Sequence, residues 1–214
     1  MNSDNSLLTV FGKTEGKPVI IELETTTSNV QKFIELDISS SNEDQVILGA
    51  IYSDKHDQSD HLYASYINRL KPTFLRLNNM EDSPASVGWS YDIEEYSRLR
   101  VSTILDFIIP DPNPEALWIG GLIDGKGSIF KFKKQTGSVY GLMEFSEIDT
   151  MDAFAANAEQ IALCGTNKSA NPTSAIVLAL DFSGKIKWYN SFETTTEGRD
   201  FGNSRCRGVA YDDN

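Results

Sequence analysis

Both histidines of this chain, His56 and His61, fall in one short run, Ser53-Asp54-Lys55-His56-Asp57-Gln58-Ser59-Asp60-His61. Imidazole and carboxylate together can hold a transition metal. The spacing argues against it, because neither a helical His-Glu-x-x-His nor a regular calcium loop is present to fix the ligands on one face. The run is expected to be a solvated polar loop. Metal binding by His56 and His61 with Asp54, Asp57 and Asp60 stays open as the alternative. With both imidazoles in that loop, a Ser-His-Asp set is poorly supplied, and no nucleophile elbow appears. The stretch Asp124-Gly125-Lys126-Gly127-Ser128 is glycine-rich but lacks the second glycine-lysine pair of a phosphate loop. These residues therefore give no catalytic, cofactor-binding or metal-binding assignment.

Cys164 and Cys206 are the two cysteines. If they lie on the first and fourth strands of a meandering sheet, three spacings of ~4.8 Å put them roughly 14 Å apart. A disulfide tolerates Cα separations of only ~4.4–6.8 Å. Two free thiols are expected, with Cys164 buried. Asn167-Lys168-Ser169 is a glycosylation sequon on an expected loop, and it mildly favours an extracellular parent protein. Met1-Asn2-Ser3-Asp4-Asn5 has neither a basic segment nor an apolar core, so no signal peptide is visible.

The chain has 214 residues, 19 Lys+Arg against 31 Asp+Glu, and a net charge of −12. That balance opposes nucleic-acid binding, which needs cations to neutralise phosphate, and opposes adsorption to anionic lipid. The apolar runs fall well short of the ~18 residues that a membrane-spanning helix needs, so no membrane insertion is expected. Aliphatic and aromatic residues at 40% are enough for a core.

What could position a site is a repeat. Four short apolar runs end at glycine: Leu7–Gly12, Val46–Gly49, Leu117–Gly120 and Ile161–Gly165. The glycines are spaced by 37, 71 and 45 residues, and the long interval from Gly49 to Gly120 implies an insertion over 53–72. After Gly165 come Ala175–Asp181, the turn Phe182-Ser183-Gly184, Lys185–Tyr189 and Arg207–Tyr211. Ile186 and Trp188 alternate there with Lys185 and Lys187, as on a half-buried strand. The preceding stretches follow the same order. Ser128–Phe132, Ser138–Leu142 and Asp152–Ala156 make one unit; Thr73–Leu77, Ser86–Ser90 and Leu99–Leu105 make another. No long stretch has a 3.6-residue period. The expected fold is all-β, a propeller-like array of about four four-stranded antiparallel blades, as an incomplete propeller. The units are about 1–44, 45–114 with the insertion 53–72, 115–158 and 159–214, in one repeat domain over 1–214. An unrelated β-sandwich is the alternative. Gly208–Asp212 reads as a strand without its hairpin partner, which suggests part of a longer chain.

The run Gln160–Gly165, the run Ile176–Trp188 with its Asp181-Phe182-Ser183-Gly184 turn, and Gly208-Val209-Ala210-Tyr211-Asp212 resemble the seven-bladed β-propeller repeats of SBBP type. The likeness is good over 157–214, moderate over 115–156 and loose over 1–110. It implies a fold and no catalytic activity. A second likeness is in Leu117-Trp118-Ile119-Gly120-Gly121-Leu122-Ile123-Asp124-Gly125-Lys126, which resembles the LAGLIDADG motif of homing endonucleases. In that family the motif is a helix ending in a metal-binding acid. That position here is Lys126, and an ammonium repels Mg²⁺. A strand over 117–123 with a turn at 124–127 is the expected structure.

The expected function is a non-enzymatic interaction or scaffold module with a protein or glycan ligand, its partner contacts on 53–72 with Tyr63 and Tyr66. A propeller enzyme of quinoprotein or glycosidase type is the alternative, and a degenerate homing endonuclease ranks below it.

Overall fold

The computed structural model describes residues 7–14, 17–35, 46–54, 61–68, 71–78, 86–92, 104–123, 125–170, 172–192, 195–196, 199–200 and 204–211. Among them every regular element is a β-strand. The first sheet is β1 (Leu7–Thr14), β2 (Lys17–Glu24) and β3 (Val30–Glu35). The second is β4 (Val46–Asp54), β5 (His61–Asn68), β6 (Lys71–Asn78) and β7 (Ser86–Asp92). The third is β8 (Ile104–Pro110), β9 (Ala116–Ile123), β10 (Lys126–Lys133) and β11 (Val139–Phe145). The fourth is β12 (Thr150–Ala156), β13 (Gln160–Asn167), β14 (Ser174–Asp181) and β15 (Ile186–Phe192). A short ribbon pairs β16 (Thr195–Thr196) with β17 (Arg199–Asp200). All pairings are antiparallel and follow chain order, so each of the four larger sheets is a meander. The all-β, propeller-like class expected from the turns and short apolar runs is the one observed. The chain forms two compact units, Met1–Arg98 and Leu99–Asn214.

The second unit shows how its two large sheets meet. Trp118, Ile129 and Phe145 of the third sheet pack with Phe154, Leu163, Ile176 and Leu178 of the fourth in one apolar cluster. The sheets approach closely because glycine removes side chains where the backbone linker between them crosses. A Cβ at Gly127 would lie 2.6 Å from Ile148 Cγ2. One at Gly165 would collide with the Thr150 carbonyl oxygen and lie 2.6 Å from the same methyl of Ile148. Ile148, in the linker from β11 to β12, is thus seated against glycines of both sheets. Backbone bonds hold it there: Gly127 N donates to Ile148 O at 2.6 Å, and Asp149 N donates to Thr166 O at 2.9 Å.

This arrangement accounts for the glycine-rich run. Leu117–Ile123 lies in β9 and pairs with β10 in register, Ile123 opposite Lys126. Gly125, with φ of +73°, takes the turn conformation that side chains disfavour. β9 is buried on both faces, so it reads as a continuous apolar stretch rather than an alternating one. The strand excludes the helix on which the endonuclease reading depended. Lys126 ties down the linker, donating to Ser146 O at 2.9 Å and Asp149 Oδ1 at 3.2 Å.

Several expectations are corrected. The stretch 53–72 contains β5, a central strand whose Leu62, Tyr63, Ala64 and Ser65 are buried, so it is not an inserted surface loop. Asp152–Ala156, expected to close the unit 115–158, lies in β12 and opens the fourth sheet. Ile104 and Leu105, expected to close the unit 45–114, lie in β8 of the third. Apolar alternation defines a strand but not the neighbour it pairs with. That one-strand offset also overturns the free thiols. Cys164 and Cys206 form a disulfide with a Cα separation of 5.9 Å. β15, not the segment 204–211, closes the fourth sheet. Register places Cys164 on the sheet face that carries Ala162 and Val177, opposite Leu163 and Leu178. Cys206 bonds to it there, off the plane of the sheet. Ser204 anchors the segment, its amide donating to Thr173 O at 2.9 Å and its hydroxyl accepting from Ala175 N at 2.9 Å.

The bridge closes a sequence separation of 42 residues. By chain entropy such a closure stabilises the fold by about 4 kcal/mol, less whatever strain it carries. Denatured, unreduced protein is expected to take up no iodoacetamide and, after reduction, two labels per chain, read by intact mass. Labelling without reductant contradicts the bridge.

Candidate functional site

Among the described residues, two clefts open between the third and fourth sheets. The first has a volume of about 360 Å³ and is lined by the end of β8 (Ile109, Pro110), by Asp111 just after it, by the turn after β12 (Asn157, Ala158) and by Phe182 after β14. Its single carboxylate is already committed. Asp111 Oδ2 lies 2.5 Å from Lys131 Nζ and accepts from Trp118 Nε1 at 2.6 Å, while its Oδ1 accepts the Asn113 amide at 2.8 Å. Lys131 also donates to Phe182 O at 3.1 Å and lies over the rings of Trp118 and Tyr140, 5.0 and 5.7 Å from their centroids. A largely buried cation is thereby satisfied by a carboxylate, a carbonyl and two aromatic faces. The Phe182 bond makes the group a polar tie between the sheets. Burial, then the charges of Asp111 and Glu115, push the Tyr140 phenol up.

The second cleft, about 230 Å³, opens toward the outer strand of the fourth sheet. Phe145, Ile148 and Leu178 form its apolar floor, and Ile186, Tyr189, Glu144 and Glu147 border it. The Tyr189 hydroxyl donates to Glu147 Oε2 at 2.6 Å. Burial first, then the bond to and charge of Glu147, push its phenol up to about 12. Tyr189 is thus a fixed hydrogen-bond donor rather than a base. Glu144 and Glu147 are both exposed.

The geometry of β15 was only half visible in the sequence. Ile186 and Trp188 were expected on one face by simple alternation. A bulge intervenes, with Ala179 opposite Trp188 and Leu180 opposite Ile186. Ile186 therefore joins Tyr189 on the face of Leu178 and Leu180, and Trp188 turns to the other. Both are substantially exposed, at 49% and 41%. No signal short of the bulge would have brought Ile186 and Tyr189 together with Glu144 and Glu147.

Of the residues singled out from sequence as possible metal ligands, only Asp54 and His61 fall among the described residues. His56, Asp57 and Asp60 lie outside the described residues. Asp54 stands opposite His61 in the β4–β5 register, and the His61 ring Nε2 lies 3.2 Å from an Arg76 guanidinium nitrogen. Among the described residues no group of three or more His, Cys, Asp or Glu side chains is placed to share a metal. Tyr63, expected at a partner surface, is buried and stacks on Phe74 with ring centroids 6.2 Å apart. Tyr66 lies in β5 opposite Leu48 and Thr73. In the sequon, Asn167 Oδ1 accepts the Ser169 and Ala170 amides, each at 3.0 Å. Asp149 accepts the Lys168 amide at 2.8 Å and the Ser169 hydroxyl at 3.1 Å. Burial raises the Asp149 pKa, but the Ser169 amide, Lys126 and the Lys168 amide outweigh it and hold the carboxyl below its usual range.

No family model matches the sequence, and no curated protein matches it. Solved structures do resemble the fold. The Dos1 propeller aligns at 9% identity with a TM-score of 0.51, over 86% of this chain and 48% of that one. The major Malassezia sympodialis allergen Mala s 1 aligns at 14% identity with a TM-score of 0.49, over 91% and 65%. A mutant of the Synechocystis apocarotenoid oxygenase aligns at 10% identity with a TM-score of 0.44, over 86% and 46%. The chain spans less than two thirds of the length of each of these. Among the described residues no helix is long and apolar enough to cross a membrane.

An unfolded tyrosine loses its proton near pH ~10, while Tyr189 keeps its own up to about 12. This contribution to stability is complete below the unfolded value and is lost as pH rises through the folded one. Alkaline titration followed by phenolate absorbance is expected to show a late step that Tyr189→Phe removes. An unchanged curve contradicts the Glu147 bond.

Proposed function

We propose that this chain is a non-enzymatic β-propeller-type module of the SBBP repeat kind that binds a protein or glycan ligand. The observation that carries this reading is the state of the carboxylates at the two clefts. Asp111 is neutralised by Lys131 and bonded to Trp118, which leaves it a structural role. Glu144 and Glu147 face water, and Glu147 holds a phenol that keeps its proton. General acid-base work on a glycosidic bond needs two carboxyl groups held on either side of it in contrasting environments. Exposed acids beside an apolar floor are better suited to recognition. The Cys164–Cys206 bridge supports an oxidising, extracellular setting. The net charge of −12 supports a partner other than nucleic acid or anionic lipid.

A glycosidase-type enzyme would draw on Glu144 and Glu147. Chromogenic glycosides and esters are expected to give no turnover above the uncatalysed rate. Turnover that Glu147→Gln abolishes would overturn the binding-module reading.

A further inference from the structure

We infer that β15 and the cleft beside it form a docking edge for an extended peptide strand carrying alternate basic and apolar side chains on one face. The inference rests on the binding-module reading and names its partner. β15 is last in the order β12-β13-β14-β15, so half of its backbone N–H and C=O groups point away from β14. Among the described residues no strand pairs with that side. All seven residues of β15 are exposed. Four are large and apolar or aromatic: Ile186 at 49%, Trp188 and Tyr189 at 41% each, and Phe192 at 53%. Soluble proteins usually guard such an edge with charge, proline or a covering loop. The Lys187 charge is partly compensated here, since it lies close enough to Asp181 to help lower that carboxyl's pKa, after the Ser183 hydroxyl and Lys185 amide bonds.

The cleft specifies the partner. A volume of about 230 Å³ is below that of most small-molecule pockets but can take one or two side chains. Phe145, Ile148 and Leu178 require an apolar one. Glu144 and Glu147 at the rim require cations. In an added strand, side chains two residues apart share a face. A valine in the cleft therefore places the lysines two positions away toward the rim acids. The opposite face of the added strand meets Trp188 and Phe192. Recognition of this kind takes affinity from backbone pairing and specificity from the pocket.

The probe is a fluorescein-labelled peptide, Lys-Thr-Val-Thr-Lys-Thr-Val. Controls are the same peptide with Glu for Lys, and one N-methylated at alternate amides, which keeps the charge but cannot pair with a strand edge. Saturable binding by anisotropy is expected for the first peptide alone, with quenching of Trp188 emission that Trp188→Phe removes. The Glu144→Gln/Glu147→Gln variant should bind roughly tenfold more weakly, because two rim charges are lost. Equal binding of the N-methylated peptide would show mere attraction to an acidic protein and overturn the inference. So would failure of the Lys peptide to bind, or a dimer formed without peptide and dissolved by Trp188→Lys. Absence of peptide binding together with absence of turnover sinks this inference alone; turnover sinks the reading beneath it.

Discussion

The distance between the third and fourth sheets is set by side chains that are missing. Gly127 on β10 and Gly165 on β13 leave room for Ile148 and for the linker backbone that carries the chain from one sheet to the next. Gly120 on β9 does the same for Met151 and Phe154, which a Cβ there would approach to 3.1 and 3.2 Å. The apolar cluster can close only because these positions are empty, since interiors pack at crystal density and do not absorb an extra methyl without strain. Both clefts inherit their shape from that closure. The outer one has Ile148 itself as part of its floor.

Polar groups then fix the register that apolar contact leaves loose. At one end Lys131 reaches from β10 to the Phe182 carbonyl while it is neutralised by Asp111. Along the linker, Lys126 and Asp149 brace each other, and Asp149 in turn receives the amides of Lys168 and Ser169. Partly buried pairs of this sort add little net stability against a well-packed apolar alternative. Their effect is on geometry, because each ties a residue of one sheet or linker to the backbone of the other. The disulfide acts similarly, holding the segment after β15 to the face of the fourth sheet that the apolar cluster does not use.

How much of this the sequence disclosed varies with the kind of interaction. Short apolar runs ending at glycine, with Asp-Gly and Ser-Gly turns, were enough to mark strands and exclude helices, because turn chemistry is local. Gly125 and Gly184 both have positive φ, as turn glycines should. Assignment of strands to sheets was not legible, because β12 carries the same alternation whether it closes one meander or opens the next. The free-thiol expectation failed for that reason alone: the geometry was sound, but the segment containing Cys206 was placed in the sheet rather than across it. β5 was mistaken for part of a loop because the long interval from Gly49 to Gly120 was assigned to an insertion over 53–72, which opens with the polar run 53–61. The outer cleft was hidden by one bulge, which moves Ile186 to the face of Tyr189. A period of two breaks at such a point without any mark in composition.

The close seating of Ile148 against Gly127 is tested most directly by a double-mutant cycle. Unfolding stability is measured for the parent, Gly127→Ala, Ile148→Gly and the combination. A new Cβ at Gly127 meets the Cγ2 methyl and the Cβ of Ile148, at 2.6 and 2.8 Å, both of which Ile148→Gly removes. The two costs should therefore overlap, leaving the double variant at least about 1 kcal/mol more stable than their sum. Additivity to within ~0.5 kcal/mol would mean that the two residues do not touch and that this packing of the sheets is wrong.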